Sequence, residues 1–330
     1  MAQEQAIPIS SPAPAMEIPK RPAWWKGALK FCRKKPLGAV GLGLAGLLLL
    51  LTLGTPTGEV GSPSLPDRPL GFELGESWFQ RYGSEEVFYN QENRVRAYED
   101  PSGNHWFGTD NAGRDIWARL VNGARRSMFV ALWALAIATF VGTTIGVVSG
   151  YFGKWLDTSV QRVMDALQSF PPLILLILIV SVNPLTDGPN LLVIAFALGL
   201  VGIPSVQRIV RGVVLSTREQ QYVEAARVIG ASDLRTMRYY ILPNIMASII
   251  VVFSTGLGVA ILAESALGFI APDKLPTGTS WGVMLGDEQN AIGTAPHAVF
   301  FPAAAIAFSV LGFNLAGDAL RDVLDPRLRL

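Results

Sequence analysis

The sequence predicts an all-α polytopic membrane protein, from its composition, from its apolar blocks and from one polar interruption between them. Half of the 330 residues are hydrophobic, 16% are charged and the mean hydropathy is +0.36, an unusual balance for a chain that folds in water. The apolar residues gather into blocks, several long enough to cross hydrocarbon. Between two such blocks lies YVEAARVIGASDLRTMRYYILPN, Tyr222 to Asn244, which reads as two short amphipathic helices. The net charge is +1 and no Lys/Arg array is interleaved with aromatics, so a lipid bilayer is an expected partner and nucleic acid is not. The single Cys32 excludes an intrachain disulfide framework.

In chain order, 1–36 is an N-terminal tail, Pro/Ala/Ser-rich and expected to be disordered to about Lys20, then basic. An uncleaved first span, 37–54, follows, because the basic stretch begins late and Leu53-Gly54-Thr55-Pro56 is a poor cleavage site. Residues 1–36 carry seven Lys/Arg against two Glu, whereas 55–105 carry four Arg against nine Asp/Glu. The Lys/Arg bias puts the N-terminus in the cytoplasm and the next segment outside. Segment 55–127 is therefore read as an external loop plus an interfacial helix. Trp78, Phe79, Tyr82, Phe88 and Tyr89 suggest a small ordered cap in it. Ile116, Trp117, Leu120 and Val121 fit one helical face, and Arg114, Arg119, Arg125 and Arg126 are expected to reach lipid headgroups.

Region 128–330 holds five more spans: Met128 to Val148, Pro172 to Val182 with its preceding turn, Leu191 to Ile203, Ile241 to about Leu262, and Ala298 to Leu315. Asn183-Pro184 and Asp187-Gly188 suit a tight outer hairpin between the third and fourth. Six crossings from an inside N-terminus place the 216–244 loop and the 318–330 tail in the cytoplasm. In that loop Ser216 and Glu219 fit a capping box, with Tyr222, Ala225, Ala226 and Ile229 on one face. Gly230 stands at the left-handed position that ends a helix. Ser232 can cap a second helix with Leu234, Met237 and Ile241 on one face, and Pro243 limits its continuation. Such a pair suits either a groove in another protein or packing on its own chain.

Gly142, Gly146 and Gly150, then Gly256 with Ala260 and Ala303 with Ala307, are spaced for close helix approach. Glu264 is a candidate gate or subunit contact, with a solvated helix-end residue as the alternative. His105 and His297 read as surface residues, and no metal ligand set is spelled out. No GxxxxGK[ST] loop, G-x-S-x-G element or zinc-protease helix occurs, so no catalytic residue is assigned and neither nucleotide hydrolysis nor those hydrolases are expected.

The order Glu224-Ala225-Ala226, Gly230, Ile241-Leu242-Pro243 resembles the cytoplasmic EAA loop of ABC-importer permeases. Three further stretches are similar to the dipeptide, oligopeptide and nickel branch, in particular its C-type subunit. They are FGTDNAGRDIWARLVNGARRS (Phe107 to Ser127), SWGVML (Ser280 to Leu285) and NLAGDALRDVLDPRLR (Asn314 to Arg329). Together the motifs run from about His105 to the C-terminus. The chain departs from the branch in reading SALGFIAP after Glu264.

The resemblance implies the type I ABC-importer permease fold and a bacterial or archaeal cell membrane. It implies a second homologous permease subunit, two ATP-binding cassette ATPases and an external solute-binding protein as partners. ATP and magnesium would then sit on the partner subunits, with no cofactor in this chain. Glu224, Ala225, Ala226, Gly230, Leu242 and Pro243 would form the ATPase-coupling site. Gly108, Thr109, Asp110, Gly113, Arg114, Asp115, Asp318, Arg321, Asp325 and Pro326 are motif residues without an assigned role. The implied cargo is a di- or oligopeptide, with nickel or another small solute as the alternative. A secondary transporter or a membrane scaffold are the rival classes.

Overall fold

The computed structural model describes residues 36–53, 82–89, 94–182, 190–276 and 278–324. Outside these fall the 1–35 tail with Cys32, Trp78 and Phe79, the Asn183 to Gly188 hairpin, and Asp325 with Pro326. The described chain is helical, with isolated β-bridges such as Val87 to Arg114 but no strand among the described residues. From Leu37 onward it forms one compact unit.

The helices are α1 (Pro36–Leu53), α2 (Ile116–Phe152), α3 (Lys154–Gln168), α4 (Pro172–Ser181), α5 (Leu191–Thr217), α6 (Gln221–Val228), α7 (Asp233–Arg235), α8 (Leu242–Ile270), α9 (Trp281–Asp287) and α10 (Pro296–Leu324). A π-helical turn, Thr236–Ile241, joins α7 to α8. By length and composition α2, α5, Asp233–Ile270 and Pro296–Val323 each suffice to cross a membrane. The pair α3 and α4 qualifies only jointly and is bent by 84°, and α1 is a shorter apolar helix.

Four boundaries differ from the sequence reading. The expected interfacial helix is the first three turns of α2, because nothing between Ile116 and Met128 breaks the helix. The third keeps its expected start at Pro172 but not the preceding turn, which the Pro171-Pro172 pair cuts off together with the amphipathic α3. The fourth runs through Pro204 to Thr217, its proline tolerated inside a packed helix. The fifth, expected from Ile241 to about Leu262, is continuous from Asp233 and runs on to Ile270, as described below.

Small residues set the packing. A Cβ on Gly142, Gly146 or Gly150 would come within 2.9–3.1 Å of Val206, Gln207 or Val210, or Val214, so α2 and α5 lie backbone to side chain along three turns. Gly256 meets Leu135 of α2 in the same way. Ala303 and Ala307 do not repeat this pattern, since Ala307 is exposed. Gly41 and Gly312 let α1 approach α10 closely. The buried residues form a large cluster from α1, α2, α4, α5, α8, α9 and α10. A second cluster, including Val206, Val210, Val214, Val223, Ile241 and Ile245, lies beneath the 216–244 loop.

Candidate functional site

The 216–244 loop begins where α5 ends at Thr217. Ser216 belongs to α5 and donates to Val213 O, so the expected Ser216/Glu219 capping box does not form; α6 starts after Gln220 without a side-chain cap. Its inner face is Val223 and Ala226, both buried, which anchors the helix to the second cluster. Tyr222, Glu224, Ala225 and Ile229 are exposed, so only Ala226 of the face read from spacing packs on this chain. Glu224 makes no ion pair with Arg227 or any other described residue.

Gly230 ends α6 as expected. Its φ is 85°, Ala231 N–H reaches Ala226 O at 3.0 Å and Gly230 N–H reaches Arg227 O at 3.0 Å, the paired bonds of a left-handed C-terminal motif. Space around its missing Cβ is open, so the glycine answers to backbone conformation and not to crowding.

Ser232 takes the N-cap position of α7 without a side-chain bond. The helix then changes pitch instead of stopping. Across Thr236–Ile241 it is π-helical, with Leu242 N–H bonded to Met237 O five residues back. Pro243 sits in the first turn of α8, where a missing N–H costs least, and Asn244 Nδ2 donates to Tyr240 O at 2.6 Å. Pro243 therefore does not limit this helix as spacing had indicated. Of Leu234, Met237 and Ile241, only Ile241 is fully buried and Leu234 is 72% exposed. With Val228 at 82%, Ile229 at 79% and Tyr239 at 64%, the loop presents a broad apolar surface.

Sequence reasoning missed what holds the loop. The buried Tyr151, in the last turn of α2, donates from its hydroxyl to Asp233 Oδ1 at 2.7 Å, and the Arg227 guanidinium lies 4.9 Å over its ring. Arg218 Nη1 donates to Gly150 O at 2.8 Å, fastening the end of α5 to that of α2. These partners lie 67 or more positions apart in sequence or on opposite sides of Gly230, and no local spacing announces them.

The Phe107 to Ser127 motif is a tight charged turn at the other end of α2. Gly108 and Gly113 have φ of 80° and 71°. Thr109 Oγ1 accepts from Glu99 N at 2.8 Å. Asp110 Oδ1 accepts from Ala112 N and Arg114 N, and its Oδ2 takes Arg114 Nε and Arg119 Nη1. Asp115 caps α2 through Ala118 N at 2.8 Å and holds His105 Nδ1 at 2.8 Å. His105 is thus no surface residue: it is buried and packed between Tyr82 and Phe88. His297 is nearly buried as well, against Gly108. Arg119 is buried on Asp110, which removes it from the headgroup role expected of it.

Burial works against the Arg114 charge, but Asp110 and Glu85 outweigh it and hold its pKa above the usual value. Burial pushes the Glu288 carboxyl up, opposed by the Asn111 N–H and the Tyr98 hydroxyl. An open cavity of about 530 Å³ beside this turn is lined by Glu85, Arg114, Arg119, Asp273, Leu275 and Asp287, among others. The SWGVML motif packs next to it: Trp281 is buried and donates to Leu120 O at 2.8 Å, with Gly123 opposite.

Glu264 is fully buried, which overturns the alternative of a solvated end residue. Its carboxylate accepts from Ser265 Oγ at 3.5 Å, and the Ser127 and Ser280 hydroxyls stand beside it, joining α2, α8 and the start of α9. Asp318 and Arg321 are exposed near the end of α10. No cluster of three or more His, Cys, Asp or Glu suited to a metal occurs among the described residues.

Comparison with known proteins agrees with this architecture. Residues 142–330 match the family described as binding-protein-dependent transport system inner membrane component. The chain is 35% identical over 333 residues to the dipeptide transport system permease protein DppC of Alkalihalophilus pseudofirmus, covering all of both chains. It is 37% identical over 234 residues to the glutathione transport system permease protein GsiD of Pectobacterium atrosepticum, covering 71% of this chain and 76% of the relative. GsiD of Escherichia coli O157:H7 is 37% identical over 253 residues, with 76% and 80% covered. A family match over more than half of the sequence and a relative aligned from end to end establish that this chain belongs to the inner-membrane components of binding-protein-dependent transport systems, as a multi-pass helical ABC-importer permease of the dipeptide and oligopeptide branch.

Proposed function

We propose that this chain imports short peptides across the bacterial cell membrane, with its 216–244 loop as the contact for the ATPases that drive it. The observation that carries the reading is the loop's construction. Val223 and Ala226 anchor α6 inward, while Glu224, Ala225, Val228 and Ile229 are exposed and no described residue covers them. An apolar surface held in a fixed shape suits a docking helix pair. Through the π-turn this pair is continuous with α8, so displacement of the loop moves a membrane-crossing helix directly.

In this reading six helices cross the membrane, both termini are cytoplasmic, and a homologous permease subunit completes the path. An external solute-binding protein delivers cargo, and two ATPases supply ATP and magnesium chemistry from outside this chain. Hydrolysis moves the path only if the ATPases hold the loop differently in their two states. Glu224 supplies a polar contact, and Ala225 leaves room for close approach. Gly230 sets the bend, and Leu242 with Pro243 starts the driven helix. The named cargoes of the relatives, a dipeptide and glutathione, support a short peptide.

The test is reconstitution of the permease pair with its ATPases and binding protein, scored for ATP-dependent uptake of labelled dipeptide, glutathione and nickel. Uptake of the peptides is expected, and Glu224→Ala or Gly230→Val is expected to abolish it. Intact uptake and intact ATPase association in both variants would refute the coupling role, and transport of nickel alone would refute the peptide assignment.

A further inference from the structure

We infer that Tyr151 is the positioning residue of the coupling loop, a side chain that braces α6 against α7 across their bend and ties both to α2. The inference rests on the reading of the loop as the ATPase contact and adds a second route by which its motion enters the membrane helices. α6 and α7 meet at Gly230, where two backbone bonds, Gly230 N–H to Arg227 O and Ala231 N–H to Ala226 O, shape the turn but no side chain crowds the glycine. Tyr151 touches one group from each. Its hydroxyl donates to Asp233, the first residue of α7, and its ring carries Arg227 from the last turn of α6. The ring is 6% exposed and belongs to the second core cluster with Val214, Val223 and Ile241, so its own position is set by packing.

The anchor beneath it is also firm. Arg218 binds the carbonyls of Gly150 at 2.8 Å and Tyr151 at 3.4 Å, closing the final turn of α2 against the end of α5. A shift of α6 and α7 together is therefore passed to α2 through Tyr151 as well as to α8 through the π-turn. A shift of one helix alone breaks either the Asp233 bond or the Arg227 contact. Tyr151 thereby makes the two short helices move as one body.

This role is separable from plain stabilisation. Tyr151→Phe keeps the buried ring with the Arg227 guanidinium over it but removes the hydroxyl and its bond to Asp233, and Asp233→Ala removes the same bond from the other side. Asp233→Asn retains an acceptor oxygen. In the full complex of permease pair, ATPases and binding protein in proteoliposomes, the readout is peptide imported per ATP hydrolysed, which a change in the amount of folded protein does not move. Tyr151→Phe and Asp233→Ala are each expected to lower that ratio by about threefold to tenfold, the scale of one hydrogen bond. The double variant is expected to fall no further than either alone, and Asp233→Asn to stay near wild type. A wild-type ratio in Tyr151→Phe, additive losses in the double variant, or an Asp233→Asn ratio as low as that of Asp233→Ala overturns the inference. Glu224→Ala, measured alongside, separates the two levels. If it leaves uptake intact, the loop reading falls and this inference with it. If it stops uptake while Tyr151→Phe couples normally, only the role of Tyr151 fails.

Discussion

The charged turn that opens α2 and the polar loop that precedes α8 interrupt the apolar sequence in the same way, but the first keeps its polar groups inside the chain and the second turns its apolar groups out. Asp110 is 1% exposed and takes hydrogen bonds on both oxygens, while Arg119, Thr109, Asp115 and His105 are buried around it. The loop buries Val223, Ala226 and Ile241 and leaves Val228, Ile229 and Leu234 outside. A buried ion pair that is fully bonded fixes a geometry, whereas an exposed apolar set is completed only by another surface. The charged turn is a finished piece of architecture, and the loop leaves open the apolar surface that the proposed docking role requires.

The sharpest break in that comparison comes from Asp110→Ala. It leaves the Arg119 guanidinium buried without its close partner, and unfolding in detergent is expected to show a loss of about 3–5 kcal/mol. A loss below 1 kcal/mol would mean that the charged turn is no more finished than the loop. Gly282→Ala should cost less. Its methyl would overlap Ser265 O where α9 lies on α8, and a thermal melt should register about 1–3 kcal/mol. On the other side of the comparison Ile229→Ser is expected to leave stability within about 0.5 kcal/mol of wild type. Titration of the permease with its ATPases should nonetheless show binding weakened by about tenfold, the scale of one exposed aliphatic side chain losing its contact. Unchanged binding with reduced stability would show that Ile229 serves this chain's own fold.

Much of this was legible in local pattern. Hydropathy located the apolar blocks, and Gly142, Gly146 and Gly150 announced the α2 to α5 contact through their four-residue spacing. Gly230 announced the end of α6 through the backbone angle that glycine alone adopts freely. What failed were inferences that a residue's local preference decides its role. Pro243 read as a helix limit and the fourth span was expected to end at Ile203, yet Pro204 lies in a packed helix interior and Pro243 follows a π-turn that absorbs its missing N–H. Arg119 and His105 read as surface groups because their partners, Asp110 and Asp115, act by folding back over the turn and not by helical spacing. Glu264 was ambiguous because its neighbours come from three elements. Tyr151 was invisible because Asp233 is 82 residues away.

The unbroken course of α2 bounds where its arginines can lie. A 37-residue helix is about 55 Å long at 1.5 Å per residue, against about 30 Å of hydrocarbon. A tilt of about 20° shortens that reach by only a few ångströms, so the rod overhangs the apolar slab and its charged first turns stand in water or among headgroups. Arg114 and Arg119 are moreover already neutralised by carboxylates of their own chain. In the folded protein they need neither lipid headgroups nor outside counter-ions, on whichever side of the bilayer the turn lies.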